Sequence, residues 1–338
     1  MQVSAWDTLS YWGVNLSSAF LLSAAHNALY FVLGTRTPVI HFLHNFNTFV
    51  LLFVAVGRRR ERGYERLEGK EKPGKNLDQW WLLGPPVLLQ VLSTLLLPSR
   101  PLAEPNGQLV LLRLFDCLTT IVALKLAPKV LGVGTKNRPC WSLMVTPPFP
   151  SRAITCVVFQ LPIAMGASLS WLELTHIEYD GWALGLSPFL SLVQGLHLVV
   201  LKNSIRQIRS GARSFEQFAM WYVGLVSAFL ALPALISYSN TVVSYDASWE
   251  SIDYLLMSMS MIFAAVFKYS ELWLIAHVEL KDYLVLEHSK FFLASCGQWF
   301  LQNMAHATVY AACGKAIFVA SGLRYWSLVR ERSRQNDL

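Results

Sequence analysis

The chain has few charged residues for its length. Of its 338 residues, 54% are hydrophobic and only 14% are charged, whereas a soluble domain usually carries about 25% charged residues. This shortage argues against an ordinary water-soluble globule. The charges that are present lie between long apolar runs, which is typical of membrane-spanning helices joined by short polar loops.

Several patterns that would assign a chemistry are also missing. The five cysteines show no C-x-x-C spacing, and the eight histidines form a single H-x-x-H. These counts argue against a disulfide framework, a thiolate metal site and a membrane di-iron oxidase. The chain has no D-D-x-x-D to hold Mg²⁺ and a diphosphate, no D-x-D-D as in squalene-type cyclases, and no phosphate-binding glycine loop. We therefore expect neither a metal nor a cofactor.

The first residues lack the positive charge of a secretory signal. Met1–Ser18 contains Asp7 and neither Lys nor Arg, so the basic region of a cleavable signal peptide is absent. We expect the first span to be retained. No internal repeat is visible either, which gives no support to an inverted-repeat transporter.

What the sequence does contain is a series of apolar segments of about 20 residues, the length that crosses a bilayer. We predict an all-α, polytopic transmembrane bundle of about eight or nine spans, forming a single transmembrane domain over residues 1–338. Segment 283–301 is ambiguous. The predicted spans are about 17–34, 38–56, 77–97, 107–127, 152–172, 184–201, 218–238, 252–277 and 303–322.

The distribution of charge predicts an orientation. The net charge of +7 comes from basic segments at 58–75, 202–213 and 324–334. We interpret these as cytoplasmic loops and a cytoplasmic tail, not as a nucleic-acid site. The loops 173–181 and 240–250 are acidic and are predicted to be lumenal, and an even number of spans would place the tail in the cytoplasm. We expect a multi-pass integral membrane protein of the endoplasmic reticulum.

Four prolines fall inside the predicted spans, at Pro85, Pro86, Pro162 and Pro233. Because proline removes a backbone donor and clashes with the preceding turn, each is expected to bend its helix. Bends of this kind can open a cavity between helices.

Ionisable residues inside spans cost at least ~2.5–3.5 kcal/mol near the helix centre, so each is a candidate functional residue. Arg113, Asp116 and Thr120 share one face of the fourth span, and Lys268 and Glu271 have the i, i+3 relation in the eighth. Each carboxylate could simply neutralise its basic neighbour. Alternatively, one carboxyl that burial keeps protonated could act as a general acid, which makes Asp116 and Glu271 the candidate catalytic residues.

Amide and imidazole side chains form a second polar group in the first two spans. The connection between these spans is short, so the residues are expected to lie near one another, and His26, Asn27, His44 and Asn45 are the candidate substrate ligands. A single histidine could be an acid or a base, although it is more often a packing residue. The polar group consists of His26, Asn27, His41, His44, Asn45 and Asn47.

Aromatic residues on the seventh and eighth spans could form a wall that stabilises a carbocation by cation–π attraction, although aromatics at helical spacing are more often packing residues. Tyr269 and Trp273 are the members we assign to substrate binding. The full set is Trp221, Tyr222, Phe263, Phe267, Tyr269 and Trp273.

The length, the number of spans, the tryptophan-rich loops and the isolated carboxyls in LRLFDCLTT and KYSELWLIAH resemble fungal membrane-bound terpene cyclases of meroterpenoid pathways, particularly the ascofuranone and ascochlorin type. The resemblance implies an isomerase or lyase of secondary metabolism, acting on an epoxidised farnesyl chain attached to an aromatic polyketide. It also implies a hydrophobic prenylated small molecule and the lipid bilayer as partners. The chain is longer than the seven-span cyclases of the paspaline and pyripyropene type.

Two other functions remain open on the sequence. A membrane-bound O-acyltransferase would use a buried histidine, for which His306 is the candidate, although GQWFLQNMAH does not match the Trp-His box of wax-synthase-like enzymes. The third possibility is a transporter or a non-catalytic membrane protein.

Overall fold

A computed structural model of the protein describes a series of helices, with no strand in its described part. The candidate residue His306 lies outside that part. The described residues are 5–33, 37–64, 82–96, 112–116, 118–120, 122–123, 150–171, 181–209, 215–241, 250–301 and 308–336.

Long helices account for most of the described residues, as the apolar runs predict. Between the third and fourth of these, residues 112–116, 118–120 and 122–123 are also helical. The helices are α1 (Ala5–Leu33), α2 (Thr37–Tyr64), α3 (Gly84–Leu96), α4 (Pro150–Leu169), α5 (Gly181–Arg209), α6 (Phe215–Thr241), α7 (Ser251–His277), α8 (Leu280–Leu301) and α9 (Val309–Asn336).

Four of these helices contain segments long and apolar enough to cross a membrane. They are Pro38–Arg58 of α2, Gly185–Gln207 of α5, Phe215–Tyr238 of α6 and Ser251–His277 of α7. The prediction of an all-helical fold is confirmed for the described residues, and these four helices suggest a membrane protein. Helix α3 is apolar but has only 13 residues, about 20 Å of rise, which is shorter than the hydrocarbon core of a typical bilayer.

The basic segments begin within helices. Helix α2 continues to Tyr64, and α5 continues to Arg209, because Arg, Lys and Glu are good helix formers and cations are favoured near a helix C-terminus. The prediction that Lys202 lies in a basic loop is therefore wrong. Lys202 is a buried residue of α5, only 4% exposed.

The prolines differ in their positions along the helices. Pro162 and Pro233 lie inside α4 and α6, as predicted. Pro85 and Pro86 instead occupy the first turn of α3, where the missing N–H needs no partner and the fixed φ suits a helix start. They begin a helix and do not bend one.

The helices belong to two compact units. The first comprises Met1–Ala103 and Val200–Val278, and the second comprises Glu104–Val199 and Glu279–Leu338. In the first unit, α1 packs along α7, α2 packs along α6 and α7, and α3 contacts α6. In the second unit, α4 packs against α8 and α9.

Two glycines bring α4 and α9 into close contact in the second unit. A Cβ added to Gly166 would lie 2.5 Å from the backbone nitrogen of Phe318, and one added to Gly314 would lie 2.6 Å from that of Ser170. The backbone cannot yield as a flexible side chain can. Close approach through small residues is a common way for membrane helices to associate.

Replacing Gly314 by alanine should destabilise the protein by about 1–3 kcal/mol, because the added methyl group overpacks the contact between α4 and α9. Thermal unfolding of the purified protein in detergent measures this loss. Gly322 is the matched control on the same helix, because a Cβ there meets nothing within 4 Å. Equal changes from Gly314→Ala and Gly322→Ala would contradict the close contact.

Candidate functional site

Asn15 attaches α1 to α7 in the first unit. It is fully buried, and its side-chain nitrogen donates to the carbonyl of Phe267 at 3.0 Å and to the hydroxyl of Ser270 at 2.9 Å. Ser270 in turn donates to the carbonyl of Val266. Two hydrogen bonds from this buried amide fix the position of α1 along α7.

Helix α2 contacts α7 through a second set of polar groups. His44 Nε2 lies 3.2 Å from the hydroxyl of Ser260, and the side-chain nitrogen of Asn47 donates to the carbonyl of Met261 at 3.1 Å. Asn45 instead donates within its own helix, to the carbonyl of His41 at 2.6 Å. His44 and Asn47 therefore join α2 to α7, where apolar side chains alone would allow sliding.

Lys202 supports the C-terminal end of α7. Its ammonium group donates to the carbonyl of Ile275 at 3.0 Å and to the carbonyl of Val278. The last carbonyls of a helix have no partner within the helix, and a cation satisfies both their hydrogen bonding and the negative end of the dipole.

A cavity of about 370 Å³ is lined by residues of α1, α2, α6 and α7. Its volume is within the range of about 300–1,000 Å³ typical of small-molecule sites. Its wall is mainly aliphatic, with a few polar groups. The lining residues are Tyr11, Val14, Thr48, Leu51, Leu52, Ala55, Val56, Glu216, Ala265, Val266, Tyr269 and Ser270.

One side of the cavity is open to the surroundings of the helices. Val14, Leu51 and Val266 are 47%, 48% and 40% exposed, although each is aliphatic and lines the cavity. In a membrane-spanning bundle such residues face hydrocarbon.

A stack of aromatic rings lies at one end of the cavity. Tyr11 stacks on Trp273 with centroids 3.7 Å apart, and Trp273 stacks on His277 at 4.3 Å. The ring centroid of Phe215 lies 5.8 Å from the ring centroid of His277 and 5.8 Å from that of Tyr269. Since Tyr11 and Tyr269 line the cavity, the stack fixes two of the rings that a bound molecule would meet.

The second unit contains a buried network of opposite charges. A guanidinium nitrogen of Arg113 lies 3.1 Å from a carboxylate oxygen of Asp116, and the other lies 3.6 Å from Glu287. Lys290 forms an ion pair with Glu287. Two cations therefore balance two carboxylates, which lowers the cost of burying each.

Asp116 is also tied to α5. The hydroxyl of Ser191 donates to its other carboxylate oxygen at 3.1 Å, and Ser191 lies 2.6 Å from the hydroxyl of Thr119. Gly195 of α5 lets the two backbones approach here. A Cβ added to Gly195 would lie only 3.2 Å from the Cα atom of Thr120. The local pairing of Asp116 with Arg113 is the one that their i, i+3 spacing predicts.

The candidate residues from the sequence fall in both units. Asp116 lies in the charge network of the second unit, and Glu271 is half-buried on α7 in the first. Tyr269 lines the cavity, and Trp273 stacks behind Tyr11.

The polar candidates on the first two helices are placed only in part. His44 and Asn45 are buried, 2% and 3% exposed. His44 contacts Ser260 of α7, whereas Asn45 bonds within α2. His26 and Asn27 lie on α1, but their side chains are outside the described residues.

Sequence reasoning missed several residues of these sites. Glu216 and Tyr11 line the cavity, although Glu216 follows a basic segment and Tyr11 precedes the predicted start of the first span. Glu287 and Lys290 lie in the segment that hydropathy left ambiguous. Their i, i+3 spacing was the available signal for an ion pair.

No group of three or more metal-ligating side chains occurs among the residues that the structure describes. The prediction of no cofactor stays a prediction, since it concerns what the protein binds.

Comparison with known proteins identifies a similar fold but no family. No protein-family model matches the chain, and no curated protein matches it significantly. A solved structure described only as the crystal structure of a protein is similar with a TM-score of 0.51 and 14% identity, covering 95% of this chain and 97% of the other. At that identity the likeness shows a shared fold alone.

Replacing Glu287 by glutamine should destabilise the protein by about 3 kcal/mol, because the buried network would keep both cations, Arg113 and Lys290, but lose one of its two negative charges. The double variant Glu287→Gln/Lys290→Gln should recover part of the loss, since charge balance returns. Chemical or thermal unfolding in detergent gives both values. The control Glu279→Gln changes an exposed carboxylate and should have little effect; a double variant no more stable than Glu287→Gln would contradict the network.

Proposed function

We propose that this chain is a membrane-embedded terpene cyclase that closes rings on an epoxidised prenyl chain carried by an aromatic substrate. We further propose a multi-pass bundle of about eight or nine spans in the endoplasmic reticulum. The basic ends of α2 and α5 support the cytoplasmic orientation assigned to them from the sequence.

The observation that carries the proposal is the aliphatic cavity beside the aromatic stack. A prenyl chain is a flexible hydrocarbon, and the aliphatic wall matches it. The open side formed by Val14, Leu51 and Val266 would let such a substrate enter from the bilayer without crossing water. Tyr11 and Tyr269 present rings to the cavity, and each well-placed ring can stabilise a cation by about 0.5–2 kcal/mol.

Of the two candidate acids, Glu271 shares a helix with the cavity. It directly follows Tyr269 and Ser270, which line the cavity wall. We propose Glu271 as the general acid and retain Asp116 as the alternative in the second unit.

The chemistry needs one proton and returns one. The carboxyl donates its proton to the oxirane oxygen, the carbon–oxygen bond breaks, and a hydroxyl and a tertiary carbocation form. The π electrons of a nearby double bond then make the new carbon–carbon bond. Loss of a proton from the last cation to a carboxylate restores a double bond, so the product is an isomer of the substrate.

Expression in a host supplied with epoxy-prenylated phenols and acyl-CoA donors, followed by mass spectrometry, tests this function. A product of unchanged mass and different retention time is expected. An added acyl mass would replace the proposal by acyl transfer, with His306 to be tested. Uptake into liposomes driven by an ion gradient, without a new product, would replace it by transport.

Glu271→Gln should abolish product formation while expression in the membrane persists, because glutamine keeps the size of the side chain but cannot supply the proton. Glu279→Gln is the control, an exposed carboxylate just after the same helix. Asp116→Asn tests the alternative acid in the same assay. Turnover retained by both Glu271→Gln and Asp116→Asn would remove both acids from the mechanism.

A further inference from the structure

The contacts between helices set the depth of each residue along the cavity. Phe215 is the first residue of α6, and His277 is the last residue of α7. Their ring centroids lie 5.8 Å apart. Tyr11 stacks on Trp273 near the same end. Glu216, Tyr11 and Tyr269 therefore lie at the end of the cavity where α6 begins and α7 ends.

The other end of the cavity lies about two turns along α6. A Cβ added to Gly224 would lie 2.7 Å from the ring of Phe49, so α6 lies directly against α2 next to Thr48. Gly224 is eight positions after Glu216 along α6, which corresponds to a helical rise of about 12 Å. Thr48 and Ala265 are buried, 1% and 8% exposed, and mark this inner end.

The two ends differ in chemistry. Glu216 supplies a carboxylate at the outer end, beside the phenols of Tyr11 and Tyr269. The hydroxyl of Thr48 at the inner end is already used, since it donates to the carbonyl of His44 at 2.6 Å. A molecule that fills the cavity therefore meets a polar end and an aliphatic end, and an amphiphile with one tail matches both.

We infer that Glu216 positions the substrate by accepting a hydrogen bond from its polar head, while the isoprenoid tail runs toward Thr48 and Ala265. This rests on the proposed function and names the class of head group that the same site takes: one that donates a hydrogen bond, such as a phenol.

A double-mutant cycle between residue and ligand tests the role of Glu216. The probes are 4-dodecylphenol and dodecylbenzene, which differ by the hydroxyl, and the proteins are wild type and Glu216→Leu in phosphatidylcholine nanodiscs. Glu216→Leu should weaken binding of the phenol at least about tenfold, because a hydrogen bond to a charged group is lost. Binding of dodecylbenzene should change less than about twofold.

Two further variants keep the result interpretable. Glu216→Gln retains an oxygen that accepts a hydrogen bond, so it should weaken phenol binding by less than Glu216→Leu, and it serves if the leucine variant does not fold. Asp7→Leu removes an exposed carboxylate from the first turn of α1 and should leave binding unchanged. Equal losses for phenol and hydrocarbon, or an equal loss from Asp7→Leu, would overturn the assignment.

Other head groups distinguish hydrogen bonding from charge and from ordinary lipid. Dodecyltrimethylammonium and dodecylphosphocholine carry the same tail but donate no hydrogen bond. Tighter binding of either than of the phenol would overturn the proposal, in favour of a cation site or a lipid site respectively. These assays measure binding without turnover, so their failure is separate from a failure to detect cyclisation.

The direction of the tail has its own test. Ala265→Leu adds volume at the inner end of the cavity and should weaken 4-dodecylphenol about tenfold while leaving 4-butylphenol within about twofold. Equal effects on the long and the short phenol would show that the tail does not reach Ala265.

Discussion

Hydrogen bonds from three neighbouring helices hold α7 in place, and the cavity depends on them. Asn15 of α1 and His44 of α2 bond to groups on α7 near its middle, and Lys202 of α5 satisfies the carbonyls at its end. Apolar side chains gain little from contact with one another in hydrocarbon, so polar contacts and close packing must fix the helices. Because these groups lie on different neighbours, α7 can neither slide nor rotate without leaving buried polar atoms unsatisfied.

The cavity follows from that placement. With α1 and α2 attached to α7 through Asn15 and Asn47, the small side chains of Ala265 and Ser270 line a space that no larger residue fills. The stack of Tyr11 on Trp273 then fixes the outer end. A site built in this way combines a hydrocarbon wall, aromatic faces and the carboxylate of Glu216, groups that match an amphiphile with a hydrocarbon tail.

The sequence predicted the features that local pattern determines. Hydropathy placed both ends of α6 and α7, and the start of α2, within three residues, and i, i+3 spacing predicted the contact of Arg113 with Asp116. It could not predict what depends on neighbours distant in the chain. Lys202 is a charged residue, yet it is buried against the C-terminal end of α7. Glu216 lines the cavity only because α6 packs against α2.

Photolabelling tests the central claim, that the cavity of the first unit holds the prenyl chain. A prenylated phenol carrying a diazirine on its tail would be irradiated with the protein in nanodiscs, and the labelled peptides identified by mass spectrometry. If the prenyl chain occupies this cavity, labels are expected on Leu51, Leu52 and Val266, which line it, and these labels should disappear on competition with unlabelled phenol. Competable labels confined to the second unit, around Asp116 or Glu287, would contradict it.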